Sequence, residues 1–453
     1  MTKDLTHGEP IKLMLIFSIP LLIGNIFQQF YNIADIIIVG RTLGMDALAA
    51  VGAVSPLFFL IMFIIIGLTN GFAVITGQRF GAKDYDGVRR SFAVSTILSY
   101  IFTIIFSLIC SLFLTGILRL MNVPDEIFRD AYLYTLICVL GLVVTNFYNL
   151  LANIIRALGD SLTPLYALII ASVANIILAL VFILKFGLGV PGSAFALILS
   201  QAFSGFLCAV YIKYKVPILH LSKADWSFSK SDLPFAAEHL RVGIPMAVQF
   251  AIIGTGILII QAVCNSFGSD VIASFTASLR IEQIAVLPMV TFGVAVSTFV
   301  AQNFGAGYYS RIRTGVKKAS FINFCLSVVM AFIMHFYGAD IVRLFIGSAN
   351  ENIISLAHSY LFVSSLFYFF LAQIFIYRNA LQGLGRPLIP VIASSGELIV
   401  RSLCAIYLAG IIGYYSVFYA GPIAWVTAAL VVAFGYYSTI NSFLRKKQKE
   451  IRE

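Results

Sequence analysis

Residues 47–78 read ALAAVGAVSPLFFLIMFIIIGLTNGFAVITGQ, thirty-two positions without one Asp, Glu, Lys or Arg. A helix needs about 20 predominantly apolar residues to cross the hydrocarbon core of a bilayer. This run exceeds that length, and it has company. Charge-free stretches of at least 21 residues also cover 13–34, 91–118, 131–155, 161–184, 186–212, 242–269, 283–310, 319–339, 352–377 and 402–444. The last is too long for one span and breaks around Gly413, Gly421 and Pro422. Its first part joins 387–401, which carries Glu397 and Arg401. Twelve spans result, counted here in chain order.

Composition agrees. Charged residues make up 11% of the 453 positions and hydrophobic types 60%, whereas a soluble domain is about one-quarter charged. A soluble protein needs polar cover that this chain lacks, so the expected fold is an all-α integral membrane protein. Long continuous apolar runs also differ from the ten-residue alternation of a transmembrane barrel.

With twelve spans both tails lie on one side. That side, with the loops after spans 2, 4, 6, 8 and 10, holds 23 of the 30 basic residues. The other side holds Arg41, Arg119, Arg129, Lys185 and Arg343, while Arg280 and Arg401 fall within spans. Positive loops stay in the cytoplasm, so both termini are expected there, in a multi-pass protein of the cell membrane. The net charge of +10 is then a topology signal, and nucleic acid is not an expected partner. The first apolar run is too long for a signal peptide and lacks a small-residue cleavage site. Six scattered cysteines and five scattered histidines form no disulfide framework or metal motif.

The chain repeats itself. Ile19-Pro20-Leu21 matches Ile244-Pro245-Met246, and Gly44-Met45-Asp46 matches Gly268-Ser269-Asp270. Gln78-Arg79-Phe80-Gly81-Ala82 matches Gln302-Asn303-Phe304-Gly305-Ala306, and Leu158-Gly159 with Pro164 matches Leu384-Gly385 with Pro390. The offsets are 225, 224, 224 and 226. A unit of six spans keeps both halves in one orientation. The expected architecture is two parallel six-helix lobes, 1–215 and 239–453, related by a pseudo-twofold axis along the membrane normal. Residues 216–238 join them as a cytoplasmic linker. Transporters are often built from such repeats, with the site between them. Pro20, Pro56, Pro245 and Pro288 lie inside spans and bend them, either as static kinks or as hinges.

An ionisable residue in a span is costly and by default functional. Asp35 is the sharpest case. Asn25, Gln28, Gln29 and Asn32 precede it, and at 100° per residue these five share roughly a third of the helix circumference. A carboxyl withheld from bulk water can exchange a proton or hold Na⁺ near neutral pH, unless it is a satisfied structural group. Arg280 and Glu282 stand two apart on span 8 and cannot face one another. Glu397 and Arg401, four apart with the acid first, suit an ion pair. Amides on other spans, among them Asn149, Gln249 and Gln261, either line a cavity or join helices. Tyr31 and Tyr148, with Phe27, suit a π-rich cavity for organic cations. No H-E-x-x-H, G-x-S-x-G or G-x-x-x-x-G-K-[ST] occurs, so neither an enzyme nor an ATP-driven pump is expected.

Four segments together resemble the multidrug and toxic compound extrusion (MATE) transporters over nearly the whole chain. The first runs from Ile19-Pro20 to Tyr31-Asn32, Asp35, Val39-Gly40 and Leu43-Gly44. The second is Gln78-Arg79-Phe80-Gly81-Ala82-Lys83, and the third Arg156-Ala157-Leu158-Gly159-Asp160 with Pro164. The fourth runs from Arg280-Ile281-Glu282 through Pro288 to Gln302-Asn303-Phe304-Gly305-Ala306-Gly307.

The resemblance implies an antiporter, with no cofactor, that exports amphiphilic or cationic compounds in exchange for H⁺ or Na⁺ by alternating access. A monomer is expected. The resemblance assigns cation coupling to Asp35 and Asn175. The expected substrate cavity draws on Asn25, Gln28, Tyr31, Asn32, Tyr148, Asn149, Gln249, Gln261, Arg280 and Glu282. Many members carry an aspartate where this chain has Ala179, and a threonine where it has Leu197; acids of some members align near Ile253 and Leu371. Loss of those oxygens favours H⁺ over Na⁺. The alternative within the wider superfamily is a flippase for a lipid-linked precursor, which would use Arg280, Arg378 and Arg401 in a basic cavity.

Overall fold

The computed structural model describes residues 3–227, 232–265, 267–346 and 351–450. Fourteen α-helices occur among them: α1 Pro10–Leu43, α2 Met45–Gly81, α3 Tyr85–Leu120, α4 Asp125–Leu140, α5 Leu142–Ala157, α6 Leu162–Leu180 and α7 Val190–Lys215. They continue with α8 Leu233–Asn265, α9 Ser269–Gly305, α10 Tyr309–Ile346, α11 Glu351–Leu366, α12 Tyr368–Gly383, α13 Leu388–Ile412 and α14 Tyr415–Glu450. Ten of these are long and apolar enough to cross a membrane alone. The pairs α4–α5 and α11–α12, bent by 46° and 54°, supply two broken spans. The fold is all-α with twelve spans.

Spans 4 and 10 differ from the straight helices that their charge-free runs suggest. The first break is at Gly141. Gly141 lies against Ile198 of α7, and a Cβ there would stand 2.3 Å from the Ile198 Cδ1. The second break, at Phe367, follows it by 226 residues. Other backbone features repeat at nearly the same offset. Left-handed φ values pair Gly44 (89°) with Gly268 (92°), Lys83 (59°) with Gly307 (71°), Gly159 (84°) with Gly385 (68°) and Gly189 (61°) with Gly413 (60°). The doubled sequence is thus a doubled backbone.

Helix α3 shows how these helices meet lipid. Ser91, Ser95, Ser99, Thr103 and Ser107 recur every fourth residue and are all buried. Ile101, Ile104, Ile105, Leu108 and Leu112 occupy the opposite face and are exposed. A water-soluble helix has the reverse arrangement. In a membrane small hydroxyl residues let helices approach, and their hydrogen bonds join neighbours. Ser107 donates to the Val139 carbonyl at 2.7 Å, and Ser99 accepts from the Asn146 amide at 3.2 Å.

The chain divides into two compact units. One comprises Met1–Asp4 and Ile19–Ala247, the other Leu5–Ser18 and Val248–Glu453. The division runs through α1 and α8 and does not coincide with the linker at 216–238. Close backbone contact explains why the first half of α8 stays with the first unit. A Cβ on Gly71 would lie 2.5 Å from the Gly243 Cα, and one on Gly67 would lie 2.7 Å from the Met246 oxygen. Within that unit Arg90 ties down the linker. It donates to Asp232, to the Asp225 carbonyl at 2.6 Å and to the Ser227 carbonyl at 2.8 Å. In the second unit the backbone of Leu5 bonds to Gln302 and Asn303 at the end of α9. This holds the segment Leu5–Ser18 to that unit.

Candidate functional site

In the first unit Asp35 stands on the C-terminal half of α1, half-buried. Ser193, in the first turn of α7, donates its hydroxyl to the Asp35 Oδ1 at 3.0 Å. Tyr31 on α1 and Tyr134 and Cys138 on α4 lie within electrostatic reach of the carboxylate. Among the described residues Asp35 forms no ion pair. The groups within its reach are therefore hydroxyl, thiol and aromatic, with no fixed counterion among the described residues.

Helix α7 also holds Asn175. The Asn175 amide, on α6, donates to Ser200 at 3.3 Å, and its Oδ1 is buried with no hydrogen-bond partner among the described residues. Ser193 and Ser200 are seven residues apart, so they share a face two turns, about 10.5 Å, apart along the helix. One helix thus presents hydroxyls to both residues to which the resemblance assigns coupling. Na⁺ wants several hard oxygens. Asp35 and Ser193 bring carboxylate and hydroxyl oxygens together, whereas Asn175 is anchored further along α7. No cluster of three His, Cys, Asp or Glu occurs among the described residues.

The other polar residues of the first unit diverge. Gln28 is exposed and Asn25 half-buried; the side chain of Asn32 lies outside the described residues. Tyr148 is packed in an apolar core with Phe92, Leu151 and Cys208, so its ring belongs to the interior of the unit. Asn149 donates to the Thr145 carbonyl of its own helix at 2.9 Å. Asn146 and Asn153 reach Ser99 and Thr69 on neighbouring helices and act as interhelical bonds.

In the second unit Arg280 and Glu282 lie on different faces of α9, as their spacing requires. Arg280 is exposed. Glu282 is buried, and the Tyr360 hydroxyl donates to its Oε2 at 2.9 Å. Among the described residues its Oε1 and the Tyr368 hydroxyl have no hydrogen-bond partner, and the Ser364 hydroxyl lies beside the same carboxylate. Arg401 lies within electrostatic reach of Glu282 but is engaged by Glu397 on its own helix. The guanidinium of Arg378 stands 5.1 Å from the Phe375 ring centroid. Gln249 is fully buried and accepts from Gln382 at 2.8 Å, while Gln261 is half-buried.

Sequence reading passed over Ser193. Its signal was weak but present: Ser193, Ser200 and Ser204 fall on one face of an otherwise apolar helix. It also passed over a buried relay. His239 on α8 bonds through Nδ1 to the Phe235 carbonyl at 2.9 Å, and through Nε2 to Ser91 at 2.8 Å. Since Nδ1 faces a carbonyl it carries the hydrogen, which leaves Nε2 to accept from Ser91. Ser91 is in turn bonded to Thr76 at 2.8 Å.

Comparison with known proteins converges on one group. The family model MatE matches residues 20–181 and 245–409, two segments that begin 225 residues apart. "Probable multidrug resistance protein YpnP" of Bacillus subtilis is 30% identical over 388 residues, covering 85% of each chain. "Probable multidrug resistance protein YoeA" of the same organism is 28% identical over 385 residues, 84% of this chain and 83% of that one. A solved structure described as "MATE in the bent conformation" superposes with a TM-score of 0.89 at 25% identity, covering 98% of both chains.

Proposed function

Because the chain belongs to the MatE family of transporters, we propose that it is a secondary active antiporter exporting amphiphilic organic cations in exchange for H⁺. The half-buried Asp35 carboxylate, held by Ser193 and without an ionic partner among the described residues, carries this reading. An acid taken partly from water, with no fixed cation beside it, gains from binding a mobile one. Proton and substrate then exclude each other because each favours a different conformation of the protein. Orientation with both termini in the cytoplasm of the cell membrane follows from the basic loops. A monomer suffices, since both repeats are present in one chain.

The flippase alternative needs unengaged arginines. Pairing of Arg401 with Glu397 weighs against it, and Arg378 rests on the Phe375 ring, while Arg280 alone of the three is exposed. The deciding experiment is uptake of a panel of fluorescent organic cations by proteoliposomes under an imposed pH or Na⁺ gradient. Flux driven by the pH gradient is the expected outcome. Flux that follows only Na⁺, or no flux alongside transfer of polyprenyl-phosphate lipid, would overturn the reading.

A further inference from the structure

Apart from the Glu282 region, the second unit has a groove of about 1220 Å³ between the start of α10 and the end of α14. Its chemistry is split. Arg313 and Lys317 of α10 and Arg445 of α14 line one part; Phe321 and Ile322 of α10 and Leu444 of α14 line the other. Arg313, Lys317 and Arg445 form no ion pair among the described residues. Lys318, also at the groove, is paired with Glu9 at 3.2 Å, so the nearby carboxylate is neutralised by a different lysine.

The split has a direction. Arg313, Lys317, Phe321, Phe324, Val328 and Phe332 follow one another at intervals of four, four, three, four and four residues. They form one stripe along α10. Phe321, Val328 and Phe332 are 66%, 50% and 56% exposed; among the described residues only Phe324 of the apolar part meets another element, through Phe369 of α12. Within one turn, between Lys317 and Phe321, the stripe changes from cationic to apolar. Such a change on a membrane-spanning helix marks the boundary between head groups and acyl chains.

We infer that this groove is a binding site for an anionic phospholipid, its phosphate held by Arg313, Lys317 and Arg445 and an acyl chain laid along Phe321, Val328 and Phe332. Three converging cations select a net negative head group, since a zwitterionic one would bring its ammonium into the same field. Arginine matches phosphate oxygens in geometry as well as in charge. The charge sign excludes the organic cations proposed as transport substrates. A soluble phosphate would leave the apolar stripe without use.

The test uses the full chain in neutral detergent and needs no transport assay. Binding of phosphatidylglycerol, phosphatidylcholine and glycerol phosphate is followed by native mass spectrometry. Phosphatidylglycerol should bind and the other two should not. Basic residues near a membrane surface contribute about fivefold each to anionic-lipid affinity. The combined variant Arg313→Gln, Lys317→Gln, Arg445→Gln should therefore lose about 100-fold. Lys446→Gln with Lys449→Gln removes charge from the same end of α14 outside the groove and should change affinity little. Single groove variants replace the triple one if that fails to fold. Equal binding of phosphatidylcholine, equal binding of glycerol phosphate, or an equal loss on removing Lys446 and Lys449 would each overturn the inference.

Discussion

The Ser193 hydroxyl, 3.0 Å from the Asp35 Oδ1, fastens the first turn of α7 to the acid of α1. Hydrogen bonds to charged groups contribute about 1.5–3 kcal/mol, enough to bias a conformational equilibrium but not to lock it.

Asp35→Asn should abolish flux driven by a pH gradient while leaving a monodisperse protein of near-normal melting temperature. Ser193→Ala should give flux between that variant and the wild type. Transport assays in vesicles, with size-exclusion profiles of the same preparations, measure both. Full gradient-driven transport by Asp35→Asn would remove the residue from coupling.

Tyr360 is the donor to buried Glu282, whose other oxygen meets no hydrogen-bond partner among the described residues. Tyr360→Phe should therefore destabilise the protein by about 1–3 kcal/mol, the usual consequence of stranding a buried polar group. Glu282→Gln keeps an acceptor for the tyrosine and should cost less. Thermal unfolding in detergent ranks the two, and the opposite order would show that charge, not this bond, dominates.

Asp160, between α5 and α6, is buried and accepts from Tyr211 at 2.7 Å and from Thr163. Burial alone would raise its pKa, but its hydrogen bonds, the one from Tyr211 foremost, outweigh it and hold the carboxyl below its usual value. A pKa lower in the folded state gives stability that is complete above the unfolded value, about 4. That stability is lost as pH falls through the folded value. Asp160→Asn should lower stability at pH 7 by about 1–3 kcal/mol and flatten the decline below pH 4. Melting curves from pH 3 to 7 would show it; parallel curves for the two proteins would contradict it.

Gly71→Ala forces a Cβ to within 2.5 Å of the Gly243 Cα, whereas a Cβ on Gly52 meets nothing within 4 Å. Overpacking of this kind costs about 1–3 kcal/mol. Removal of an uncrowded helical glycine instead gains about 0.5–1 kcal/mol. Melting temperatures of Gly71→Ala and Gly52→Ala should thus move in opposite directions. Equal shifts would show that α2 and α8 separate at little cost.

Membrane residence, the twelve spans, the internal repeat and the segments shared with MATE transporters were all legible in the linear chain. Transfer into lipid is a sum over consecutive residues, so uncharged runs such as 47–78 reveal it without any knowledge of neighbours. Duplicated turns likewise keep duplicated residues, as Gly44 and Gly268 do. Which face each helix presents to its neighbours is another matter. It depends on what packs beside it: Ile198 against Gly141 accompanies a break in span 4, and Gly243 against Gly71 keeps half of α8 with the first unit. Asp35 announced itself because a lone acid is costly in hydrocarbon. Ser193, 158 residues away, could be joined to it only by folding, since an ordinary serine on an apolar helix has no meaning until its partner is beside it.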